Sequence, residues 1–179
     1  MTTSAFLAES NRVAIRRPTA ADREEFVARV RDSRDLHHPW LTMPETAQEY
    51  DSYPAPAEGM PRERLLVCDR ETGDIAGFVN INTIVAGRFQ CGSLGYGAFV
   101  PYAGRGYLSE GLRLVLRFAF DDLGLHRLEA NVQPGNTASI NLVKRNGFRR
   151  EGYSPDFLFI DGAWRDHERW AITTEMCVG

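Results

Sequence analysis

The stretch Ser93–Leu123, SLGYGAFVPYAGRGYLSEGLRLVLRFAFDDL, constrains the chain more than any other. Leu94, Tyr96, Ala98 and Val100 alternate with Gly95, Gly97 and Phe99, which is the period of a strand. Pro101 has no backbone donor and ends the ladder. From about Tyr107 the period changes. Leu108, Leu112, Val115, Leu116, Ala119 and Leu123 fall along one face of a helix, and Gly124 is placed to close it. Between strand and helix lies Tyr102-Ala103-Gly104-Arg105-Gly106-Tyr107. Its two glycines permit a tight turn and a close backbone approach. The first-turn N–H groups of the helix sit at the positive end of its dipole and favour an anion. Arg105 adds a full charge and a forked donor set. The loop reads either as a pyrophosphate cradle or as a plain strand–helix connection, and two glycines alone do not separate the two.

A chain of 179 residues predicts one domain, 1–179, able to bury a substantial core. A net charge of -3 argues against nucleic-acid binding, which needs a basic face. No apolar run reaches the roughly 18 residues of a membrane span. MTTSAFLAESNR lacks the basic start and apolar centre of a secretory signal, so a cytoplasmic protein is expected. Cys68, Cys91 and Cys177 are scattered and odd in number, which suggests reduced thiols and gives no metal spacing.

In chain order, Arg12–Arg17 alternates around Val13 and Ile15 as a first strand ended by Pro18. Thr19, with Asp22 three residues on, is placed to start a helix whose apolar side carries Phe26, Val27 and Val30. Ser33–Pro61 is proline-rich and polar, with a short helix expected near Thr46–Tyr53. Within it, LHHPWL places Trp40 and Leu41 beside His37 and His38, lining a substrate mouth or pinning a loop. No ligand-spaced partner accompanies the histidines, so no metal is expected. Arg64–Asp69 and Ile75–Val85 form a hairpin about Glu71-Thr72-Gly73-Asp74. After the central helix come the strand Arg127–Val132, a helix capped by Asn136 and ended at Asn146-Gly147, a strand-like stretch from Phe148, and a terminal hairpin about Asp161-Gly162. This order predicts a mixed α/β (α+β) sheet of about seven strands, mostly antiparallel, with helices on both faces.

GYLSEGLRLVLRFAFDDLGLHRLEANVQPGNTASINLVKRNGFRREG resembles the GNAT acetyltransferases, in particular the RimJ/RimL type that acetylates ribosomal-protein N-termini. Asn136-Thr137-Ala138-Ser139 and the following NGF are its specific parts, and the likeness extends from the first strand to DGAWRDHERWAI. The family loop begins with Gln or Arg, with glycine three residues later and a small residue two further on. Ala103, Gly106 and Leu108 stand there, so two of the three depart from the pattern.

The resemblance implies a sheet splayed at its central strands, acetyl-CoA as co-substrate and a primary amine as acceptor. Gly104, Arg105, Gly106, Tyr107, Leu108 and Ser109 would hold the pyrophosphate through the backbone. Phe99 and Val100 would pair with the pantetheine amides, and an N–H there would face the developing oxyanion. Asn136 would reach the pantetheine arm, or serve as a plain helix cap. Glu129 would take the amine proton, or be a solvated charge; as a base it needs desolvation to raise an ordinary pKa near 4.3. The tyrosine that many members use to protonate the thiolate is replaced by Val143. Ser139 stands in as the acid, or satisfies local backbone donors. Lys144, Arg145, Arg149 and Arg150 meet a nucleotide 3′-phosphate, or complement the helix end. Cys91 has no evident base, so a covalent acetyl-cysteine is not expected. The function so implied is acetyl transfer, by direct attack in a ternary complex, to a protein N-terminal α-amine. The alternatives are a small-amine acetyltransferase (antibiotic, polyamine or amino acid) and a silent acyl-CoA-binding module. The partners expected are acetyl-CoA and the acceptor, with no metal, nucleic acid or membrane, and a monomer or homodimer.

Overall fold

The structure, a computed structural model, describes residues 6–53 and 61–177. Its elements in order are β1 (Ala8–Glu9), β2 (Val13–Arg16), α1 (Arg23–Asp32), α2 (Arg34–His37), α3 (Ala47–Ser52), β3 (Glu63–Asp69), β4 (Ile75–Val85), β5 (Cys91–Ala98), α4 (Tyr107–Arg117), β6 (Arg127–Val132), α5 (Thr137–Arg145), β7 (Arg149–Ile160) and β8 (Ala163–Thr173). The strands form one sheet in the order β1-β2-β3-β4-β5-β6-β8-β7, antiparallel except where β5 meets β6. The eighth strand beyond the expected seven is the two-residue β1, held at the edge by Leu7 N–H to the Ile15 carbonyl. α2 was not expected, because four residues carry too little period to be seen. The 54–60 part of the expected Ser33–Pro61 loop lies outside the described residues.

Alternation along the strands sorts the core into two layers. From β3, Leu65 and Val67 join the layer under α4 and α5, with Leu112, Val115, Leu128, Ala130 and Val143. Leu66 and Cys68 turn to the other face, under α1 and α3, with Phe26, Val30, Tyr50, Phe78 and Phe99. The Arg16 guanidinium is buried on Asp22 at 2.7 and 2.8 Å, and Thr19 donates both its N–H and hydroxyl to the same carboxylate. These bonds hold Asp22 below the usual carboxylate range against the cost of its burial.

The sheet opens at its one parallel junction. β5 pairs with β6 only from Cys91↔Arg127 to Leu94↔Ala130, although β5 runs four residues further. Its other edge stays bonded to β4 as far as Ala98. A notch therefore begins beyond Leu94, with α4 and α5 on one face and α2 on the other.

Candidate active site

The glycine loop leads from the end of β5 to the first turn of α4. Gly106 is its N-cap at φ 84°, a left-handed backbone that L side chains rarely adopt. A Cβ there would lie 2.9 Å from Nη2 of Arg12, whose Nη1 donates to the Arg105 carbonyl and whose Nε meets Glu110. Two tyrosines pin the loop to the β3–β4 turn: Tyr102 donates to Asp74 at 2.8 Å and Tyr107 to Asp69 at 2.7 Å. Their rings meet edge to face, 4.9 Å between centroids. Arg105 is exposed, with its guanidinium about equally far from both rings. Gly104 is also left-handed, and Leu108 packs against β4 at Gly77. The amides of Tyr107, Leu108 and Ser109 have no acceptor one turn back, because the first such bond is Glu110 N–H to Gly106. The Ser109 hydroxyl accepts from Asn146 at 3.1 Å, which ties α4 to the end of α5.

The donors expected of Phe99 and Val100 are engaged inside the chain, which corrects the reading of that strand end. Phe99 N–H bonds to the Ala76 carbonyl, and Val100 N–H to the Ser33 hydroxyl at 2.9 Å. Strand β5 stops two residues earlier than its pattern suggested. Successive peptide groups of a strand point to opposite edges, so with Phe99 turned to β4, those of Ala98 and Tyr96 face the notch. The Ala98 carbonyl agrees with this, since its partner is the side chain of His37, 2.8 Å away.

Across the notch, Asn136 accepts from Ser139 N–H at 3.1 Å and so caps α5. The Ser139 hydroxyl lies 2.6 Å from the Tyr96 hydroxyl, joining α5 to β5. Burial pushes the Tyr96 phenol up to about 12. Val143, at the place of the missing tyrosine, is buried in the core.

On the opposite face, Glu129 is held by Arg127 at 2.9 Å and Arg169 at 3.0 Å. Arg169 also donates to Asn131 at 2.6 Å and stacks on Phe157. Arg127, Glu129 and Arg169, with Glu151, Gly152, Tyr153 and Ser154, line a cleft beside β6. Hydrogen bonds from Arg127 and Arg149 bring Glu151 down to about 2. A segment of the expected substrate mouth roofs this side. His37 is buried over Gly97, the Trp40 carbonyl accepts from Gln133, and the Trp40 ring packs on Gly135. Burial lowers the His37 pKa, and its Nδ1 has no partner among the described residues.

Of the basic cluster, Arg149 and Arg150 pair with Glu151 and Glu168, and Lys144 lies over Trp170. Burial pushes the Cys91 thiol up, away from nucleophilic use. Among the described residues no three His, Cys, Asp or Glu side chains gather as for a metal, and no helix is long and apolar enough to cross a membrane. Sequence reading missed Tyr96, Ser33 and Arg169. Tyr96 carried a signal, as the lone hydroxyl among the alternating apolar residues of β5. Ser33 and Arg169 carried none, because their partners are remote in sequence.

With this geometry in place, the likeness to known proteins can be judged. A family profile described as an acetyltransferase (GNAT) domain matches residues 12–149. The chain belongs to the GNAT acetyltransferase family. It is similar to the ribosomal protein uS5-alanine N-acetyltransferase of Escherichia coli (strain K12), 39% identical over 106 residues, which are 59% of this chain and 55% of that protein. The chain thus spans about half the length of the curated relatives it matches. Among solved structures, Mycobacterium smegmatis RimJ in complex with CoA-disulfide superposes with a TM-score of 0.84 at 26% identity, covering 93% of this chain and 84% of that one. The Vibrio cholerae spermidine N-acetyltransferase, in complex with CoA and spermine, shares the fold at 18% identity, with a TM-score of 0.74 over 95% of this chain and 100% of that one.

Proposed function

We propose that this GNAT chain, acting as one catalytic domain, is an acetyl-CoA-dependent N-acetyltransferase whose acceptor is the α-amine of a protein N-terminus. One observation carries the reading: beyond Leu94 the β5 edge has no strand partner, and the glycine loop leads from it to a helix start whose first-turn amides are unused. An extended amide chain can add to such an edge, and a diphosphate to such a helix start. The donor set fits the co-substrate. Gly106 has the left-handed backbone of a glycine-only position, and a Cβ there would lie 2.9 Å from the Arg12 guanidinium that holds the loop. The CoA complex of the similar mycobacterial protein supports the same assignment.

In this reading the amides of Gly104 and of Gly106–Ser109 hold the diphosphate, and Arg105, whose own amide bonds to the Tyr102 carbonyl, adds charge through its side chain. The edge groups of Tyr96 and Ala98 take the place foreseen for Phe99 and Val100, binding the pantetheine amides and facing the developing oxyanion. Asn136 fixes the first turn of α5 and so the position of Ser139, which donates to the departing sulfur. Holding both reactants in line can contribute about 7–11 kcal/mol toward the barrier. Glu129, clamped by two guanidiniums, serves the acceptor floor in place of taking the proton. The amine enters neutral, which an α-amino group of pKa near 8 permits more readily than a lysine near 10.4.

The acceptor side supports an acceptor with one amine over a polyamine. Both carboxylates lining the cleft, Glu129 and Glu151, are already paired with arginines. A polyamine would find no unpaired carboxylate among those lining residues. Thiol release from acetyl-CoA, measured with peptides carrying free or blocked N-termini, with spermidine and with amino acids, tests the reading. Release with the free-N-terminus peptides alone is expected. Release with spermidine alone, or with none of them despite tight cofactor binding, contradicts it.

A further inference from the structure

We infer that Tyr96 is a positioning residue for the leaving thiolate: it donates its phenolic hydrogen to Ser139, and so frees the serine hydrogen to point at the coenzyme sulfur. The inference rests on the acetyl-transfer reading above and assigns a part to the Tyr96 side chain, where that reading uses only its backbone.

The argument begins with the bond itself. Two hydroxyls 2.6 Å apart share one hydrogen between them. A serine hydroxyl carries one hydrogen and two lone pairs, and a phenol readily donates. If Ser139 donates to Tyr96, its only hydrogen is spent inside the protein. If Tyr96 donates to Ser139, the serine hydrogen remains available. Only the second arrangement gives Ser139 a donor for an outside acceptor. Burial keeps the phenol protonated across the neutral range, so the donor is present when needed.

Placement supports the same direction. Tyr96 stands on β5 beyond the last pairing with β6, where the strand edge is open. Its side chain turns to the α4–α5 face, the side of the cradle. Ser139 is fixed from behind, because its N–H is held by the Asn136 side chain. The chain therefore brings a phenol from a strand to the neighbourhood where a helix tyrosine is absent and Val143 fills the core instead.

The step balances without further reagents. The amine nitrogen bonds to the acetyl carbon, the carbon–sulfur bond breaks, and its electron pair stays on sulfur. The nitrogen gives its proton to water, and sulfur takes one from water. Tyr96 and Ser139 only donate hydrogen bonds, ending as they began. A hydrogen bond to an ionised acceptor is about twice as strong as a neutral one, so the pair favours thiolate over thiol.

Free coenzyme A is the probe. Its thiolate absorbance is titrated on the wild type, Tyr96→Phe, Ser139→Ala and the double variant, with matched protein blanks. Thermal melts confirm that each variant is folded, and Phe retains the ring in case Ser139→Ala perturbs the helix. The wild type is expected to lower the bound thiol below the value of free coenzyme A titrated in the same buffer. Tyr96→Phe and Ser139→Ala should each raise its proton affinity about threefold or more, and the double variant no further, since coupled groups are not additive. Turnover should fall about tenfold in Tyr96→Phe with KM for acetyl-CoA within about twofold, the pattern of an interaction made as the thiolate departs. A folded Tyr96→Phe that titrates and turns over like the wild type overturns the inference and leaves acetyl transfer standing. Coenzyme A that fails to bind the wild type overturns both.

Discussion

The two faces of the notch are built on different principles. On the α4–α5 face the key groups are peptide amides, and their positions follow from a strand end, two left-handed glycines and a helix start, all between Cys91 and Ser109. On the α2 face they are side chains gathered from afar: His37 on Ala98, Gln133 on Trp40, Arg169 on Glu129. The first face presents geometry that any diphosphate and amide chain could use. The second presents shape and paired charge, which change with each side chain. The contrast suggests a donor side that tolerates little change and an acceptor side that sets which amine is used.

The strongest way to break this contrast is Gly106→Val. A left-handed L residue costs about 1–2 kcal/mol, and the added Cβ would press on Arg12. The acetyl-CoA dissociation constant is expected to rise at least tenfold, by calorimetry. Gly104→Ala, with open space around its Cβ, should rise far less. Equal losses would trace the effect to the left-handed backbone that both glycines share, and unchanged affinity in both would mean that the cradle is not where the ligand sits.

Glu129→Gln probes the other face. It leaves Arg127 and Arg169 without their shared carboxylate, and about 1–2 kcal/mol of stability should go, between the values for exposed and buried pairs. The amine KM should rise severalfold while the acetyl-CoA dissociation constant holds and the pH–rate profile keeps its shape. Loss of the acidic limb in that profile would instead make Glu129 the base.

Asn136→Ala sharpens the comparison where the faces meet. Loss of the cap costs about 1 kcal/mol, a fall of about 2–4 °C in melting temperature for a chain of this size. Acetyl-CoA affinity should change less than in Gly106→Val, because the Asn136 oxygen already serves Ser139.

The smallest effect concerns pH. Burial lowers the His37 pKa, so the unfolded chain binds that proton more readily than the folded one. Its contribution is complete above about 6.5, the unfolded value, and is lost as pH falls through the lower folded value. Melting temperature should hold above neutrality and drop on acidification, with a shallower drop in His37→Asn. Burial lowers His167 likewise, so some slope should remain.

What could be read from the chain follows the same division. The hairpin of Arg64–Asp69 and Ile75–Val85, helix α4 from Tyr107, strand Arg127–Val132 and the Asn136 cap were legible because each is set by neighbours a few residues away. The glycine loop and the helix start after it were legible for that reason too. The exit of β5 was not, because what ends it is Ser33, 67 residues distant, taking the Val100 amide. The fate of Glu129 was hidden likewise: alternation gave its face, but the guanidinium that clamps it from β8 lies 40 residues on. Tyr96 stood out in its strand only as a hydroxyl among apolar residues, and its partner was hidden, because only the fold brings α5 to that hydroxyl.

Backbone amide exchange with and without acetyl-CoA tests the central claim most directly, since it reads the very groups said to bind. The account predicts new protection at Gly104, at Gly106–Ser109 and at Tyr96 and Ala98, with little change at Phe99, Val100 and Arg105, whose amides are already bonded. Binding that leaves Gly104–Ser109 exchanging as before, or protects only the β7–β8 hairpin, would contradict it.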